Sequence, residues 1–462
     1  MPPATDTYDY DLVCIGSGPA GQRAAVQAAK LGKRVAVVER QRTVGGVCIE
    51  TGTIPSKTFR EAVASFRERG QALRPSMAEL LGRVGHVVRR EAAVVIDQLG
   101  RNGIDLLSGH AAFAGPHALD IDCHAGRRTI TAAHVLIAVG TRPARPPGIE
   151  PDGQTVIVSD DVPALERLPR TMVVVGGGVI GIEYASMFAA LGVHVTVVDK
   201  RPRPLEFLDR EIVDELIHQM RKREVVFRCG DGVDSIDIGD GPPRRGAIRL
   251  DSGKHMVADL VLFSVGRIGA TDTLNLDAAG LAADDRGRLT VDRRFATAVP
   301  HIFAAGDVIG HPALAATSSE QGRLAACHMF GLAAEPMEAH FPVGVYAIPE
   351  ISMVGATEEE LTRDKVLYET GIARFREIAR GQILGDDSGL LKMIFRRDDR
   401  RLLGVHCIGT QATELVHIGQ AVLGLGGGLD YFLKTVFNYP TLAECYKVAA
   451  LSAANKLHGD PS

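Results

Sequence analysis

The sequence lacks the features that direct a protein to nucleic acid, to a membrane or to an oxidising compartment. Its 462 residues carry a formal net charge of -4, so there is no basic excess to attract nucleic acid or an acidic membrane surface. It has no uncharged apolar run long enough to span a bilayer, and residues 1–11 lack the apolar stretch of a secretory signal. The seven cysteines show no paired spacing, which favours free thiols. We therefore expect a soluble cytoplasmic protein that binds no nucleic acid, no membrane and no metal.

Glycine, in contrast, is abundant. The chain contains 51 glycines, well above the average share of about 7%, which favours tight strand-to-helix turns and close backbone approach to ligands. Hydrophobic residues make up 45% of the chain, and its length allows two to four domains.

The first motif is a complete strand–turn–helix–strand unit near the N-terminus. The pattern predicts strands over 8–15 and 34–38, a helix over 19–31, and an acidic residue, Glu39, at the end of the second strand. The turn carries three glycines at dinucleotide-binding spacing: Gly16, Gly18 and Gly21. Such a unit binds a pyrophosphate at the helix N-terminus, and its acid accepts the ribose hydroxyls.

The same unit recurs in the middle of the chain. Strands are predicted over 171–175 and 193–198 with a helix over 179–191, and the second strand ends at Asp199. The turn glycines are Gly176, Gly178 and Gly181. In both units the acid follows the first glycine by the same interval, from 16 to 39 and from 176 to 199. Two complete units imply two dinucleotide sites, and transfer between two cofactors is the economical reason for having both.

The residues around Asp199 bear on the choice of nicotinamide nucleotide. A carboxylate favours the free 2′-hydroxyl of NAD(H) and repels a 2′-phosphate. Lys200, Arg201 and Arg203 follow directly, and cations there could hold the 2′-phosphate of NADP(H) by charge-assisted hydrogen bonds. The alternative is that these cations are surface charges on a loop.

Residues 45–58 resemble the redox-active segment of the pyridine nucleotide-disulfide oxidoreductases, the family of glutathione reductase and dihydrolipoamide dehydrogenase. Relatives carry a Cys-x-x-x-x-Cys pair here, whereas this chain has Cys48 and Thr53. A hydroxyl cannot form a disulfide or exchange with a thiol. The Gly140-Thr141 strand end and the segment 301–307, which ends at Asp307, resemble further FAD-binding parts of the family.

The resemblance implies the fold, the cofactors and the site residues. The expected fold is α/β, with two Rossmann-like dinucleotide-binding domains, for FAD and NAD(P), and an α+β C-terminal dimerisation domain that forms a homodimer. The expected domain bounds are 1–150 and 271–340 for FAD, 151–270 for NAD(P) and 341–462 for the interface, with a proline-rich linker over 143–151. FAD would be held by Gly16, Gly18, Gly21, Glu39, Arg40, Gly45, Gly46, Cys48, Lys57, Gly140, Asp307 and Ala315. NAD(P) would be held by Gly176, Gly178, Gly181, Asp199, Lys200, Arg201 and Gly266.

A second departure from the family lies in the C-terminal tail. Thiol-reducing relatives have a catalytic His before the Pro of this segment, and here Tyr439 stands in that position, followed by Glu444, which would orient the His. A phenol with a pKa of about 10 is a poor base near neutrality. Because Thr53 and Tyr439 remove the two groups that the same half-reaction needs, we expect that thiols are not substrates.

What remains is hydride exchange with nicotinamides. In relatives, a Lys at the position of Lys57 lies beside flavin N5 and pairs with a Glu at the position of Glu183, and we predict both as catalytic. The Cys-x-x-x-Gly-Thr-Ile-Pro-Ser-Lys segment and the Phe-Asn-Tyr-Pro-Thr tail resemble the soluble pyridine nucleotide transhydrogenases. This implies Si-specific, ping-pong transfer from NADPH to NAD⁺ through FAD.

Three alternatives stay open at this point. One is an NAD(P)H:quinone or dye reductase of the same fold, and another is a flavin-bound regulatory protein without turnover. The third concerns Cys48, which could cycle through sulfenic acid as in single-cysteine peroxidases, although we favour an inert thiol packed on the flavin. The sequence leaves open the physiological direction, the preference for NAD or NADP, and any assembly beyond a dimer.

Overall fold

The computed structural model describes residues 8–68, 75–124, 126–145, 148–239, 241, 243–337 and 340–458. Residues 1–7, residues 69–74 and Pro146 and Pro147 of the predicted linker lie outside these ranges. The α/β prediction is confirmed, because parallel sheets flanked by helices are followed by an antiparallel sheet.

In chain order the strands are β1 (Tyr10–Ile15), β2 (Val35–Glu39), β3 (Asp105–Ser108), β4 (His110–Gly115), β5 (Ala118–Cys123), β6 (Gly126–Ile137), β7 (Thr141–Pro143), β8 (Val156–Val158), β9 (Thr171–Val175), β10 (His194–Asp199), β11 (Val226–Cys229), β12 (Val233–Ile238), β13 (Gly246–Leu250), β14 (His255–Ala258), β15 (Leu260–Phe263), β16 (Arg267–Gly269), β17 (Ile302–Ala304), β18 (Val343–Val345), β19 (Ile351–Gly355), β20 (Tyr368–Arg374), β21 (Leu390–Arg396) and β22 (Leu402–Ile408). The α-helices are α1 (Pro19–Lys30), α2 (Gly46–Glu50), α3 (Thr53–Glu68), α4 (Met77–Arg101), α5 (Val179–Ala190), α6 (Arg210–Arg221), α7 (Ala315–Met329), α8 (Glu358–Arg363), α9 (Ala379–Leu384), α10 (Ala412–Gly424), α11 (Leu429–Lys434) and α12 (Glu444–His458). Among the described residues, no helix is both long and apolar enough to cross a membrane.

The first sheet has a parallel part in the order β3-β2-β1-β6-β17, and β6 extends into an antiparallel ribbon with β5 and β4. Strand β1 is central and almost wholly buried, as its run of apolar residues predicts for a parallel strand covered on both faces. The carboxyl ends of β1, β2 and β17 meet at one edge, where ligands bind in sheets of this kind. This edge therefore carries the first glycine turn, Glu39 and the residues before Asp307.

The second parallel sheet has the order β11-β10-β9-β15-β8 and carries the second glycine turn between β9 and α5. The apolar run over 257–265 predicts a single strand, and this prediction is wrong. The run is divided between two strands, because β14 joins the antiparallel sheet β12-β13-β14 and β15 joins the parallel one. Asp259 lies between them, and its carboxylate accepts hydrogen bonds from the main-chain N–H groups of Arg170 and Thr171 at 3.0 and 3.2 Å.

The apolar pattern over 134–143 also predicts one strand, which the structure interrupts. Strand β6 ends at Ile137, and a turn with Gly140 at φ +63° separates it from β7, which pairs with β16. From Phe341 onward the chain forms a separate antiparallel sheet in the order β18-β19-β22-β21-β20, with α10 and α12 packed on its core.

Candidate active site

The first dinucleotide turn is fastened to its acid by hydrogen bonds. Ser17 donates to Glu39 Oε2 from its main-chain N at 3.1 Å and from its hydroxyl at 2.6 Å, and Gln41 N donates to Oε1 at 2.8 Å. Glu39 is buried, and these donors satisfy its oxygens while leaving further acceptor positions on the carboxylate. The turn itself needs Gly16, whose φ is +106° and whose Cβ would lie 2.4 Å from Ala138 O.

The second turn repeats this geometry closely. Gly177 N donates to Asp199 Oδ2 at 2.5 Å, and Arg201 N donates to Oδ1 at 2.8 Å, so Asp199 is bound to its turn as Glu39 is to the first. Gly176 has the same φ of +106° as Gly16. The predicted repeat in sequence is therefore also a repeat in three dimensions.

The two acids differ in their side-chain partners. The guanidinium of Arg201 donates to Asp199 from Nε at 3.0 Å and from Nη2 at 2.6 Å. Burial tends to raise the pKa of Asp199, but the hydrogen bonds from Arg201 and Gly177 outweigh it and the pKa is lowered. The neighbouring cations turn away, since Lys200 pairs with Asp251 at 3.4 Å and Arg203 pairs with Asp214.

A cavity of about 550 Å³ opens at the carboxyl edge of the first sheet. Among the residues predicted from the sequence, its wall contains Gly16, Gly18, Glu39, Arg40, Gly46, Cys48, Lys57, Gly140, Glu183, Asp307 and Ala315. Gly21 and Gly45 lie outside the lining, and so do Gly176, Gly178, Gly181, Asp199, Lys200, Arg201 and Gly266, which belong to the second unit. The first turns of α5 nevertheless reach the cavity through Val179, Ile180 and Glu183.

The cavity wall fits FAD. A Cβ on Gly18 would meet nothing within 4 Å, so it would project into open space where a ligand can approach the backbone closely. Gly18 is also the residue before α1, and it offers no side chain to cap the helix. The free N–H groups of this helix end suit a pyrophosphate, and Glu39 on the same wall suits a ribose.

The segment that carries Cys48 is bound to the first turn. Gly45 N donates to the Ser17 hydroxyl at 2.7 Å, and a Cβ on Gly46 would lie 2.9 Å from Gly18 Cα. Two helices follow, α2 with Cys48 and α3 beginning at Thr53, with a break at residues 51–52. The contacts bring Cys48 to the wall of the cavity.

Cys48 and Thr53 are neighbours in space. Both residues line the cavity. Burial raises the pKa of the Cys48 thiol, and the nearby hydroxyl of Thr53 offsets this only in part. All seven cysteines are free thiols. Position 53 thus holds a hydroxyl where a disulfide partner would have to stand.

Lys57 and Glu183 form an ion pair inside the cavity, 126 residues apart in sequence. Lys57 Nζ lies 2.9 Å from Oε1 and 2.8 Å from Oε2 of Glu183. The Glu183 side chain is 3% exposed and that of Lys57 is 26% exposed. A buried carboxylate requires such a partner, and the pair leaves the ammonium at the surface of the cavity.

Asp307 lies at the start of a 3-10 turn that follows β17. It is partly buried, which raises its pKa, and the Ser318 hydroxyl opposes this shift by donating to Oδ1 at 3.3 Å. Helix α7 begins close by, and Leu314 and Ala315 line the cavity. The helix therefore directs the positive end of its dipole toward the cavity.

The tail residues lie apart from this cavity. Tyr439 is 70% exposed. Oε2 of Glu444, at the start of α12, is buried without a hydrogen-bond partner among the described residues. Cys445 is buried, as predicted, and burial raises its pKa to about 12.

Sequence reasoning missed several residues that hold the site together. Ser17 occupies an unspecified position of the first glycine motif, and Ser318 lies inside α7, where no pattern marked it. Tyr346 lines the cavity, donates its N–H to Glu183 Oε1 at 2.8 Å and has the Lys57 ammonium 4.9 Å from its ring centroid. The approach of Tyr346 to Lys57 has no local signal in the sequence.

Comparisons with known proteins agree with this geometry. The family profile described as pyridine nucleotide-disulphide oxidoreductase matches residues 10–322, and the profile of its dimerisation domain matches residues 341–450. A soluble pyridine nucleotide transhydrogenase of Mycobacterium tuberculosis is 53% identical, and the match covers 97% of this chain and 98% of the relative. A soluble pyridine nucleotide transhydrogenase of Klebsiella pneumoniae is 42% identical over 98% of this chain and 99% of the relative.

Solved structures with the same fold include the HOCl-induced flavoprotein disulfide reductase RclA of Escherichia coli. It is 27% identical, has a TM-score of 0.88 and covers 96% of this chain and 99% of its own. LpdA of Mycobacterium tuberculosis is 26% identical with a TM-score of 0.88, and the match covers 95% of this chain and 98% of that one. The sequence profiles, the relatives and the two glycine turns together show that the chain belongs to the pyridine nucleotide-disulphide oxidoreductase family.

Proposed function

We propose that this protein is an FAD-dependent transhydrogenase that catalyses NADPH + NAD⁺ ⇌ NADP⁺ + NADH by a ping-pong mechanism. The observation that carries the proposal is that Thr53 lines the cavity beside Cys48, where a second sulfur would have to stand. A thiol and a hydroxyl cannot store an electron pair as a disulfide. The names of the relatives at 53% and 42% identity support the same reaction.

FAD, when bound, supplies N5 as the acceptor and donor of hydride. In this proposal the chain binds the pyrophosphate at the N-terminus of α1 and the ribose at Glu39. Lys57 holds positive charge where negative charge develops on reduction, and Glu183 fixes that ammonium through two contacts below 3 Å. Asp307 and the N-terminus of α7 would contact the rest of the cofactor.

One nicotinamide site would serve both nucleotides in turn. Asp199 suits the ribose 2′-hydroxyl of NAD(H), and Arg201 suits the 2′-phosphate of NADP(H). The two side chains are bound to each other, so each nucleotide would displace part of this pair and find the group that it needs. Gly176, Gly178 and Gly181 would let the second pyrophosphate approach α5, and Lys200 and Gly266 border the same site.

The decisive experiment is a two-step stopped-flow measurement on the holoenzyme without oxygen. NADPH reduces the flavin, excess nucleotide is removed, and the reduced protein is mixed with NAD⁺ or with a quinone. We expect NAD⁺ to restore the oxidised flavin spectrum at the rate of turnover. Reoxidation by the quinone but not by NAD⁺ would replace the transhydrogenase with the quinone reductase, the second candidate for this fold.

We further propose a cytoplasmic homodimer. The match of residues 341–450 to the dimerisation domain supports association, and seven free thiols suit a reducing compartment. The proposed domain bounds of 150/151, 270/271 and 340/341 and the Si-specific stereochemistry belong to the same proposal. Sedimentation of the holoenzyme tests the assembly, and transfer from NADPH deuterated on one face tests the stereochemistry.

A further inference from the structure

One short segment of the C-terminal region connects the two helices that carry the Lys57–Glu183 pair. Residues 345–350 run between α3 and α5. Tyr346 N donates to Glu183 Oε1 at 2.8 Å, and Ile348 N donates to the Ser186 hydroxyl at 3.0 Å, so the segment is fixed on α5. On the other side, Arg60 Nε of α3 donates to Ala347 O at 3.3 Å.

The ring of Tyr346 lies against the ammonium of Lys57, with Nζ 4.9 Å from the ring centroid. A cation at this distance is attracted by the face of an aromatic ring, and the attraction is stronger where water is excluded. Lys57 is only 26% exposed, and its three N–H groups are directed to Glu183 and, at 3.3 Å, to the Ser56 hydroxyl. The ring therefore contacts the ammonium in addition to these three hydrogen bonds.

The ring packs beside a second group of polar contacts. Burial raises the pKa of the Tyr346 phenol, and the neighbouring Thr413 of α10 partly opposes this shift. Thr413 donates to Glu350 Oε2 from its hydroxyl at 2.8 Å, and the other oxygen of Glu350 pairs with Arg60 Nη1 at 2.9 Å. Because Arg60 lies on α3 one turn beyond Lys57, these contacts link α3 to α10 next to the ring.

Gly344 is needed for this packing. A Cβ at that position would lie 3.2 Å from Cε2 of the Tyr346 ring and 3.2 Å from Cγ2 of Thr413. Both contacts are tighter than ordinary van der Waals separation, so a side chain at position 344 would press on the ring and on Thr413 together. The backbone is thus shaped to accept the aromatic ring in this orientation.

We propose that Tyr346 is a positioning residue for hydride transfer: its main chain fixes the Glu183 carboxylate, and its ring fixes the Lys57 ammonium beside the reacting part of the flavin. This inference rests on the proposed function for the roles of Lys57 and Glu183. It extends that function by making the C-terminal region of the same chain part of the hydride-transfer site.

The test compares Tyr346→Leu, which removes the ring, with Tyr346→Phe, which keeps the ring and removes the hydroxyl. The matched control is Tyr368→Leu, on β20, whose hydroxyl bonds Glu358 and which does not line the cavity. Two quantities are measured on each holoenzyme: the anaerobic rate of flavin reduction at saturating NADPH, and the flavin midpoint potential by dye equilibration.

We expect Tyr346→Leu to slow flavin reduction at saturating NADPH about tenfold, because a displaced ammonium impairs hydride transfer even when NADPH is fully bound. The midpoint potential should become more negative, since reduced flavin loses a fixed positive neighbour. Tyr346→Phe should stay within about threefold of the wild-type rate, and Tyr368→Leu should change neither quantity.

Wild-type rate and potential in Tyr346→Leu would overturn the proposal, and so would a Tyr346→Phe variant as impaired as Tyr346→Leu. If Tyr346→Leu fails to bind flavin, Gly344→Ala decides, because its Cβ would lie 3.2 Å from Cε2 of the ring and displace the ring while the main chain of Tyr346 is kept. Gly344→Ala should slow flavin reduction more than Tyr346→Phe does. A wild-type rate in Gly344→Ala would overturn the proposal. Failure of the transhydrogenase proposal would appear elsewhere, as a reduced flavin that NAD⁺ does not reoxidise.

Discussion

The contact between Arg201 and Asp199 predicts a change in nucleotide preference. Substitution Arg201→Gln removes the guanidinium that lies 2.6–3.0 Å from the Asp199 carboxylate. In the proposed site this group is also the partner of the 2′-phosphate of NADP(H). The variant should therefore lose affinity for NADPH and leave Asp199 free for the ribose of NADH.

The size of the effect follows from the exposure of the pair. Hydrogen bonds to charged groups contribute about 1.5–3 kcal/mol, and about 1.4 kcal/mol corresponds to a tenfold change. Because the Arg201 side chain is 44% exposed, solvent screening favours the lower end of this range. We expect the KM for NADPH to rise about 10- to 30-fold, while the KM for NADH stays within about threefold.

Steady-state transhydrogenation assays in both directions provide the measurement, with Arg203→Gln and Lys200→Gln as matched controls. Arg203 pairs with Asp214 and Lys200 with Asp251, so neither cation contacts Asp199. Both controls should change the two KM values alike and by less than about threefold, as expected for exposed charges. The reasoning fails if Arg201→Gln raises both KM values equally, or if either control raises the KM for NADPH as strongly as Arg201→Gln does.

Three further changes test the same site. Glu183→Gln leaves Lys57 without its carboxylate, so flavin reduction should slow about 10- to 100-fold and the free energy of unfolding should fall by about 1–2 kcal/mol. Stopped-flow measures the rate and denaturant unfolding measures the stability, and an unchanged rate of reduction would contradict the role of the pair. Thr53→Cys should let the enzyme take up a second electron pair in an anaerobic NADPH titration while glutathione disulfide stays unreduced, because Tyr439 still stands in place of the base; reduction of that disulfide would refute the argument from the tail. Cys48, whose burial raises the thiol pKa, should react with iodoacetamide more slowly at neutral pH than free cysteine and faster as pH rises; rapid alkylation at pH 7, absent in Cys48→Ser, would indicate a reactive thiolate instead.

Local rules predicted the dinucleotide turns well. The interval from Gly16 to Glu39 and from Gly176 to Asp199 depends only on one helix and one strand of standard length, so the sequence contains all the information needed. Cys48 and Thr53 likewise lie close together in space because they are only five positions apart in the chain. Lys57 and Glu183 lie 126 residues apart, and resemblance to relatives brought them together where no local pattern could.

Local rules failed where tertiary contacts decide the structure. The apolar run over 257–265 looked like one strand, but Asp259 binds two main-chain N–H groups of another segment and divides it between two sheets. The cations after Asp199 looked equivalent, and only the folded loop distinguishes Arg201 from Lys200 and Arg203. Tyr346 was missed because its function depends on a helix nearly 300 residues earlier in the chain.

The two acid-bearing turns differ in one respect that matters for turnover. At the first turn, the carboxylate accepts hydrogen bonds from a serine of the glycine loop, whose side chain is short and neutral. At the second turn, the carboxylate is bound by a long, half-exposed arginine side chain, and water can compete for its guanidinium. The first arrangement suits a cofactor that stays bound to the protein, and the second suits a substrate that must bind and dissociate in every catalytic cycle.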